Sequence, residues 1–226
     1  MESKSVLNRF IMVFVCLVGF LFLSDTAEAT LTGEVLGEEA PDIPTYYLDI
    51  FTNNGIYNDS DQVSLFVEVT DPGSNKVEFK VRNESQVECA IARVYFDDGA
   101  LLGVAAIANG AGTDFGQPAT PSELPAGNEL DPTFVTTQDF SMGPENQPPH
   151  KGINAGEWLK ITFELKNGFE YQDVLAQLDD LTLRIGAHVI AFPDESSESA
   201  VTPEPATVAV LGMGGVLLCV RKRRRR

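Results

Sequence analysis

Hydrophobic and polar positions alternate along the middle of the chain, and this pattern predicts β-strands. Over residues 63–70, four aliphatic side chains occupy every second position, and the same period of two returns over residues 77–82 and 159–166. Successive side chains of a strand point to opposite faces, so each stretch offers one face to a core and the other to solvent. The pattern is typical of half-buried antiparallel strands.

Turn residues divide the chain into about eight or nine such strands. The turn at Asp97 to Gly99 predicts a hairpin between its two flanking strands. Only Tyr171 to Leu178 has apolar residues at helical spacing. We therefore predict an all-β fold, an antiparallel, jelly-roll-like β-sandwich with one short helix. The segments with strand character are 46–52, 63–70, 77–82, 89–96, 101–108, 133–140, 158–166 and 181–192.

A long irregular stretch, Asn109 to Gly156, interrupts the alternation. It holds seven of the 13 prolines, and only Thr133 to Phe140 within it has strand character. Loops of this length inside a domain are uncommon and are usually functional or disordered. We expect any ligand-binding or adhesive role to involve this loop.

The N-terminus has the three parts of a secretory signal peptide. Lys4 and Arg9 precede the apolar segment Phe10 to Leu23, which is shorter than a membrane span. Ala27 and Ala29 supply the small residues that signal peptidase requires. We predict export through the Sec translocon and cleavage after Ala29, leaving Thr30 as the mature N-terminus; a retained N-terminal anchor is the alternative.

The C-terminus predicts a single transmembrane helix that stops transfer. Residues 206–220 carry no charge and would span about 22 Å as a helix, somewhat less than the hydrocarbon core of about 30 Å. The chain then ends on six cations, which are costly to translocate, so the preceding body lies outside the cytoplasm. This basic cluster consists of Arg221, Lys222, Arg223, Arg224, Arg225 and Arg226.

This tail resembles the PEP-CTERM sorting signal of bacteria that produce exopolysaccharide. Pro203-Glu204-Pro205 matches the tripeptide, residues 211–215 match the Gly-rich short helix, and the basic cluster matches the third part. The resemblance implies that an exosortase recognises and removes the tail, so that the membrane anchor is transient. It also implies a final place at the cell surface or in the extracellular matrix. A plain tail anchor that is never processed is the alternative.

The body also resembles ectodomains common among PEP-CTERM proteins, on Gly152 to Glu157 and Leu183 to Val189. Those ectodomains are secreted sandwiches without an assigned activity. The predicted organisation is a signal peptide (1–29), an acidic leader (30–45), a sandwich ectodomain (46–193), a Ser/Glu spacer (194–202) and the sorting signal (203–226).

Charge excludes nucleic acid as a partner. Residues 30–202 hold 29 of the 33 acidic residues and only eight of the 16 basic ones, so the body is more acidic than the whole-chain net charge of −17 indicates. Such a surface repels polyanions and keeps an exported protein soluble. Only Cys89 remains between the two signals, so the mature body cannot form an internal disulfide.

Candidate chemistry is sparse. His150 and His188 have no second ligand at usable spacing, which argues against zinc, and the chain has no Gly-x-Ser-x-Gly motif. We predict no resident cofactor, catalytic residue or metal ligand, but weak calcium binding remains an alternative. The carboxylates for such a calcium site are Asp59, Asp61, Asp97 and Asp98.

The function expected from the sequence is that of an exported, non-catalytic surface or matrix protein, associated with exopolysaccharide or biofilm through the resemblance. A carbohydrate-binding or adhesive module is the first alternative, and a secreted glycan-active enzyme with two carboxylates is the second. An extracellular polysaccharide would be the partner of a carbohydrate-binding module. The aromatic residues that could stack on sugars are Tyr46, Tyr47, Tyr57, Trp158 and Tyr171, although packing is the favoured role of Trp158 because it begins a core-like strand.

Overall fold

Two antiparallel sheets and one helix make up the fold. The computed structural model describes residues 42–57, 61–97, 99–144 and 150–203. The helix, α1, spans Tyr171–Asp180, and Gly127–Glu129 forms one turn of 3₁₀-helix. The strands are β1 (Thr45–Tyr47), β2 (Asp49–Ile50), β3 (Leu65–Thr70), β4 (Lys76–Asn83), β5 (Ala90–Asp97), β6 (Leu101–Asn109), β7 (Phe115–Gly116), β8 (Ser141–Pro144), β9 (Ile153–Asn154), β10 (Trp158–Leu165), β11 (Arg184–Ile190) and β12 (Glu198–Val201).

The first sheet has the order β1-β3-β4-β10-β6. Its strands keep the period of two: Val77, Phe79 and Val81 are fully buried, whereas the residues between them are half-buried on the other face. On that outer face Lys80 and Glu68 pair at 3.1 Å. The alternation of the sequence therefore sets the register, because a slip by one residue would turn the apolar set towards solvent.

The second sheet has the order β2-β12-β11-β5-β8-β7, with β9 paired to the first residues of β5. β5 and β11 are buried on both faces over most of their length. The long segment between β6 and β10 contributes to this burial, because Leu124 and Phe134 pack with Tyr95 and Val201 in a small second core.

A group of phenylalanines from both sheets fills the space between them. Phe163 of β10 is at the centre, with ring centroids 4.8 Å from Phe96, 5.1 Å from Phe140 and 5.8 Å from Phe79. All three contacts are edge-on, which is a favoured geometry for aromatic pairs. This cluster joins the two sheets, so the architecture is an all-β sandwich of two antiparallel sheets.

Helix α1 confirms the single helical element predicted from the sequence. Glu170 and Asp173 form a reciprocal capping box at its start, and Leu181 ends it in the left-handed conformation at φ 64°. Val174 and Leu178 are buried one turn apart on its inner face.

The predicted hairpin of β5 and β6 is wrong. β5 pairs with β11, β8 and β9, whereas β6 pairs with β10, so the turn after Asp97 carries the chain from one sheet to the other. The reason is that both edges of β5 are occupied, by β11 on one side and by β8 and β9 on the other, so no edge is left for β6.

Two other predicted strands, and the predicted number of strands, differ from those in the structure. The predicted first strand 46–52 divides into β1 and β2, which belong to different sheets. Residues 133–140 are not a strand, because Asp139 has φ 65° and the Phe140 amide closes a turn onto the Thr137 carbonyl. The strand follows at Ser141–Pro144, and several two-residue strands raise the number of strands to twelve among the described residues.

The Ser/Glu spacer predicted over residues 194–202 is also incorrect. Its second half is β12, which lies between β2 and β11 inside the second sheet. Glu198, Ser199, Ala200 and Thr202 are all at most 3 % exposed. The sandwich therefore continues to Thr202.

The helices predicted at the two ends, a signal helix and a transmembrane helix over residues 206–220, lie outside the described residues. Within the part of the chain that the structure describes, no helix has the length and apolar character needed to cross a bilayer.

Candidate functional site

An aromatic and cationic row crosses the outer face of the first sheet. Tyr47 of β1 lies opposite Phe66 of β3, Phe66 lies opposite Arg82 of β4, and Arg82 lies opposite Trp158 of β10. Tyr47 is 59 % exposed, and the other three are half-buried on the face away from the core. We call these four residues the outer row.

Contacts within the outer row fix its side chains. The Tyr47 and Phe66 rings lie 5.9 Å apart, and the Arg82 guanidinium carbon lies 5.7 Å from the centre of the Phe66 ring. Arg82 also binds the carboxylate of Glu84 and lies 3.5 Å from that of Glu68. A cation over the face of an aromatic ring is attracted to it electrostatically. This contact and the two carboxylates therefore restrict the side-chain conformations of Arg82 and Phe66.

Gly110 lies directly against Trp158, where a larger residue would not fit. A Cβ atom on Gly110 would come within 2.5 Å of the Trp158 carbonyl oxygen and 3.1 Å of its indole ring. The Gly110 amide also donates to that carbonyl at 3.3 Å. The indole therefore lies against the backbone of the long loop at the point where the loop leaves β6.

The outer row runs across four neighbouring strands of the first sheet. Adjacent strands are about 4.8 Å apart, so Tyr47 and Trp158 are separated by roughly 14 Å across three strand spacings. Aromatic faces can stack on the C–H face of a pyranose ring, and a guanidinium can donate several hydrogen bonds to its oxygens. The row can therefore contact successive residues of an extended sugar chain.

The remaining aromatic candidates do not join this row. Tyr46 points inward, with its hydroxyl 3.2 Å from Asp179, and desolvation together with that carboxylate raises its pKa. Tyr171 donates to the Val69 carbonyl at 2.9 Å. Tyr57 stacks on Phe192 with centroids 5.6 Å apart. Tyr47 and Trp158 were among the five aromatic candidates from the sequence, although packing was the favoured interpretation of Trp158. Phe66 and Arg82 were missed, and their only signal was an aromatic and a cation at outward positions of alternating strands.

The two histidines have different surroundings. His150 is exposed, whereas His188 lies opposite Arg93 on β5, with Nδ1 at 3.2 Å from an Arg93 nitrogen. Burial and the neighbouring guanidinium lower the pKa of His188 to about 4. His188 is therefore neutral at pH 7 and accepts a hydrogen bond from Arg93, which also donates to the Thr120 carbonyl at 2.8 Å.

Two carboxylates that are largely withdrawn from solvent, Asp97 and Glu198, lie at opposite ends of β11. Asp97 is opposite Arg184 at one end, and Glu198 is opposite Val189 at the other. Glu198 accepts from the Thr52 hydroxyl at 2.6 Å and from the Asn54 amide at 2.9 Å. Each carboxylate is engaged in holding the chain together, and the two do not converge on one cleft.

The carboxylates proposed for calcium are divided. Asp97 binds Arg184, Asp61 is exposed, and Asp59 and Asp98 lie outside the described residues. Within residues 42–57, 61–97, 99–144 and 150–203, no three His, Cys, Asp or Glu side chains come together as a metal site requires. Weak calcium binding stays a prediction. Cys89 is 2 % exposed, and burial raises the pKa of its thiol.

Arg184 fastens the long loop to the second sheet. Its guanidinium donates to the carbonyls of Pro132 and Thr133 at 2.6 Å each and lies 5.2 Å from the centre of the Phe134 ring. Nearby, a Cβ on Gly186 would come within 2.8 Å of Leu124. The loop therefore packs closely on β11, as part of the fold.

The chain leaves the sandwich directly at the predicted sorting motif. The Thr202 amide donates to the Ile185 carbonyl at 2.9 Å, and the Ile185 amide donates back to the Thr202 hydroxyl at 3.2 Å. Pro203 is exposed at the rim of a largely apolar cleft of about 220 Å³ that Phe51, Leu130 and other side chains line. Among the described residues, Thr202 is thus the last one hydrogen-bonded to the sandwich.

The other residues of the predicted processing sites lie outside the described residues. They are Ala27, Ala29 and Thr30 at the signal peptidase site, Glu204 and Pro205 of the sorting motif, and the basic cluster 221–226.

Comparisons with known proteins give little to set beside this geometry. No protein-family model matches the chain, and no curated protein matches it. A crystal structure of the yeast GGA1 GAE domain aligns with 68 % of this chain and 99 % of that one, at 15 % identity and a TM-score of 0.24. A TM-score this low does not establish a shared fold.

Proposed function

We propose that this chain is an exported, non-catalytic protein of the cell surface or extracellular matrix, trimmed at its C-terminus by an exosortase. The observation that carries the proposal is the position of Thr202, which is buried and hydrogen-bonded to β11 immediately before Pro203-Glu204-Pro205. A cut at or after Pro203 would leave every strand of the sandwich in the product. A cut a few residues earlier would remove part of β12 from the second sheet.

The intact mass of the mature protein from its native host tests this proposal. We expect a product that begins at Thr30 and ends between Thr202 and the start of the apolar segment at residue 206. A mass that includes residues 206–226 would show that the tail is a permanent anchor. A product that begins at Met1 would show that the N-terminal segment is not a cleaved signal.

The outer row favours a second candidate function, binding of an extracellular polysaccharide. Its support is the register that aligns Tyr47, Phe66, Arg82 and Trp158 on one exposed face. Side chains fixed in this way lose little conformational entropy when a ligand binds.

A glycan array probed with the mature protein tests the second candidate. We expect binding to extended glycans that falls at least tenfold in Tyr47→Ala. Ile56→Ala is the matched control, because Ile56 is 77 % exposed and lies outside the outer row. Equal binding by both variants, or no binding by the wild type, would exclude the row as a sugar site.

The glycan-active enzyme remains the least supported alternative. A glycosidase needs two carboxylates that face one substrate, about 5–10 Å apart. Asp97 and Glu198, two carboxylates largely withdrawn from solvent, lie at opposite ends of β11 and do not form such a pair.

A further inference from the structure

The sheets end in edges of very different length. Of the four strands that close the two sheets in the described part of the chain, β1 has three residues, and β2 and β7 have two each. β6, the fourth, has nine. Short edge strands are one of the ways in which proteins prevent unwanted pairing, and β6 lacks this protection.

β6 also lacks two other features that protect edge strands, charged side chains and proline. Leu101–Asn109 contains no charged residue and no proline, although the mature chain is strongly acidic. Leu102 is 57 % exposed, and Ala105, Ala106 and Ala108 are exposed as well. An edge of this kind presents unpaired backbone N–H and C=O groups beside small apolar side chains.

The geometry of β6 limits where another strand can pair. Its register with β10 shifts twice, which makes Leu102 and Ala105 extra residues opposite β10. Such bulges bend a strand and disturb the ladder. The last part, residues 106–109, keeps an uninterrupted register with residues 159–162. An added strand would therefore pair with this part.

We propose that β6 is an assembly edge at which a second copy of this chain adds its own β6, antiparallel and related by a two-fold axis near residues 106–108. An antiparallel strand is complementary to itself under such an axis, so no second type of surface is required. Electrostatics favour this edge, because two acidic bodies repel each other least where neither presents a carboxylate. The pairing would join the first sheets of two molecules into one continuous sheet, which goes beyond the proposed surface role.

The inference can be tested by disulfide scanning in the full exported chain, with Cys16 and Cys219 replaced by Ala. Cysteine is placed singly at Ala105, Ala106 and Ala108, and chains carrying Ala106→Cys and Ala108→Cys are also mixed. Thr162→Cys is the control, since Thr162 lies beside Ala106 but one strand further from the edge. A disulfide requires Cα atoms within about 7 Å, which the control cannot reach across the proposed pair.

We expect disulfide dimers at one position, or in the mixture, at least tenfold above the Thr162→Cys control and falling on either side. Equal cross-linking at all positions would indicate random collision and overturn the proposal. Disulfides to a different protein would show that a donor strand from that protein is the occupant, and would overturn it too.

A second measurement does not depend on introduced cysteines. In sedimentation of the purified protein, released by cells or extracted from the membrane with detergent, Ala106→Lys should reduce the dimer fraction at least fivefold, whereas Thr162→Lys should leave it unchanged. A wild-type protein that stays monomeric up to millimolar concentration would contradict the proposal. This outcome is separate from tail processing, which the intact mass reports.

Discussion

Arg184 donates from Nε to the Asp97 carboxylate at 3.0 Å, directly across from it in the pairing of β11 with β5. The side chains are 9 % and 16 % exposed. The remaining Arg184 donors bind carbonyls of Pro132 and Thr133. One guanidinium thus joins two strands and the long loop, which explains how a proline-rich stretch becomes an ordered layer over the second sheet.

Replacing Arg184 with Met should destabilise the protein by about 3 kcal/mol, because it leaves Asp97 nearly buried without its partner. The loop should also become susceptible to protease near Pro132. Urea unfolding and limited proteolysis measure the two effects. The double variant Arg184→Met, Asp97→Leu should recover part of the loss; no difference between single and double variants would show that the pair is not coupled.

Lowering the pH should weaken the fold through His188. Its pKa is about 4 in the folded state against an ordinary value of 6.5, so the unfolded chain binds the proton more readily. The contribution of His188 to the free energy of unfolding is therefore complete above pH 6.5 and is lost as the pH falls towards 4. We expect the free energy of unfolding to drop by about 1–2 kcal/mol between pH 7 and 5, since His188 is partly exposed.

The matched variant for this experiment is His188→Gln, which keeps an acceptor for Arg93 but does not titrate. Its stability should be nearly flat between pH 7 and 5. If wild type and variant lose the same free energy over this range, another group is responsible.

Removing β12 should unfold the second sheet. A secreted chain that ends at Thr202 should match the processed protein in its urea midpoint, because every strand is present. A chain that ends at Ser197 lacks the partner of β2 and of one edge of β11, and buried Ala200 and Val201 are lost. We expect a loss of at least about 3 kcal/mol. Equal midpoints for the two chains would show that β12 is dispensable.

The first sheet could be predicted closely because its strands are covered on one side only. β4 and β10 alternate between buried apolar and outward polar residues, so the pattern in the sequence contains the register. Arg82 and Phe66 were still missed, because which outward residues become neighbours depends on the pairing of separate strands.

The second sheet was harder to predict for a physical reason. β5 has no period of two, since the long loop covers its outer face. β12 has the composition of a polar linker. It can nevertheless be a buried strand, because its polar groups are satisfied by Thr52 and Asn54, about 145 residues earlier in the chain. Nothing local to residues 194–202 indicates those partners.

The predicted sorting motif begins directly after Thr202 of the sandwich, and this position leads to a prediction about processing. Thr202 is fixed to β11, and Pro203 is already exposed. Moving each of the six terminal cations to the bilayer centre would cost at least ~2.5 kcal/mol. If the cations therefore remain cytoplasmic, the apolar segment before them holds the motif at the outer face of the membrane. The two prolines cannot donate backbone hydrogen bonds and favour an extended chain, which a membrane-embedded enzyme can grip.

Changing Pro203-Glu204-Pro205 to three alanines should therefore leave export and folding intact but keep the protein in the membrane with its tail attached. Fractionation and intact mass measure this directly. Replacing Thr202 alone by Ala is the control for the fold, since it removes the Thr202 hydroxyl bond but keeps Pro203-Glu204-Pro205 intact. Release of the triple-alanine protein as efficiently as the wild type would mean that the motif is not recognised and that the tail is an ordinary anchor.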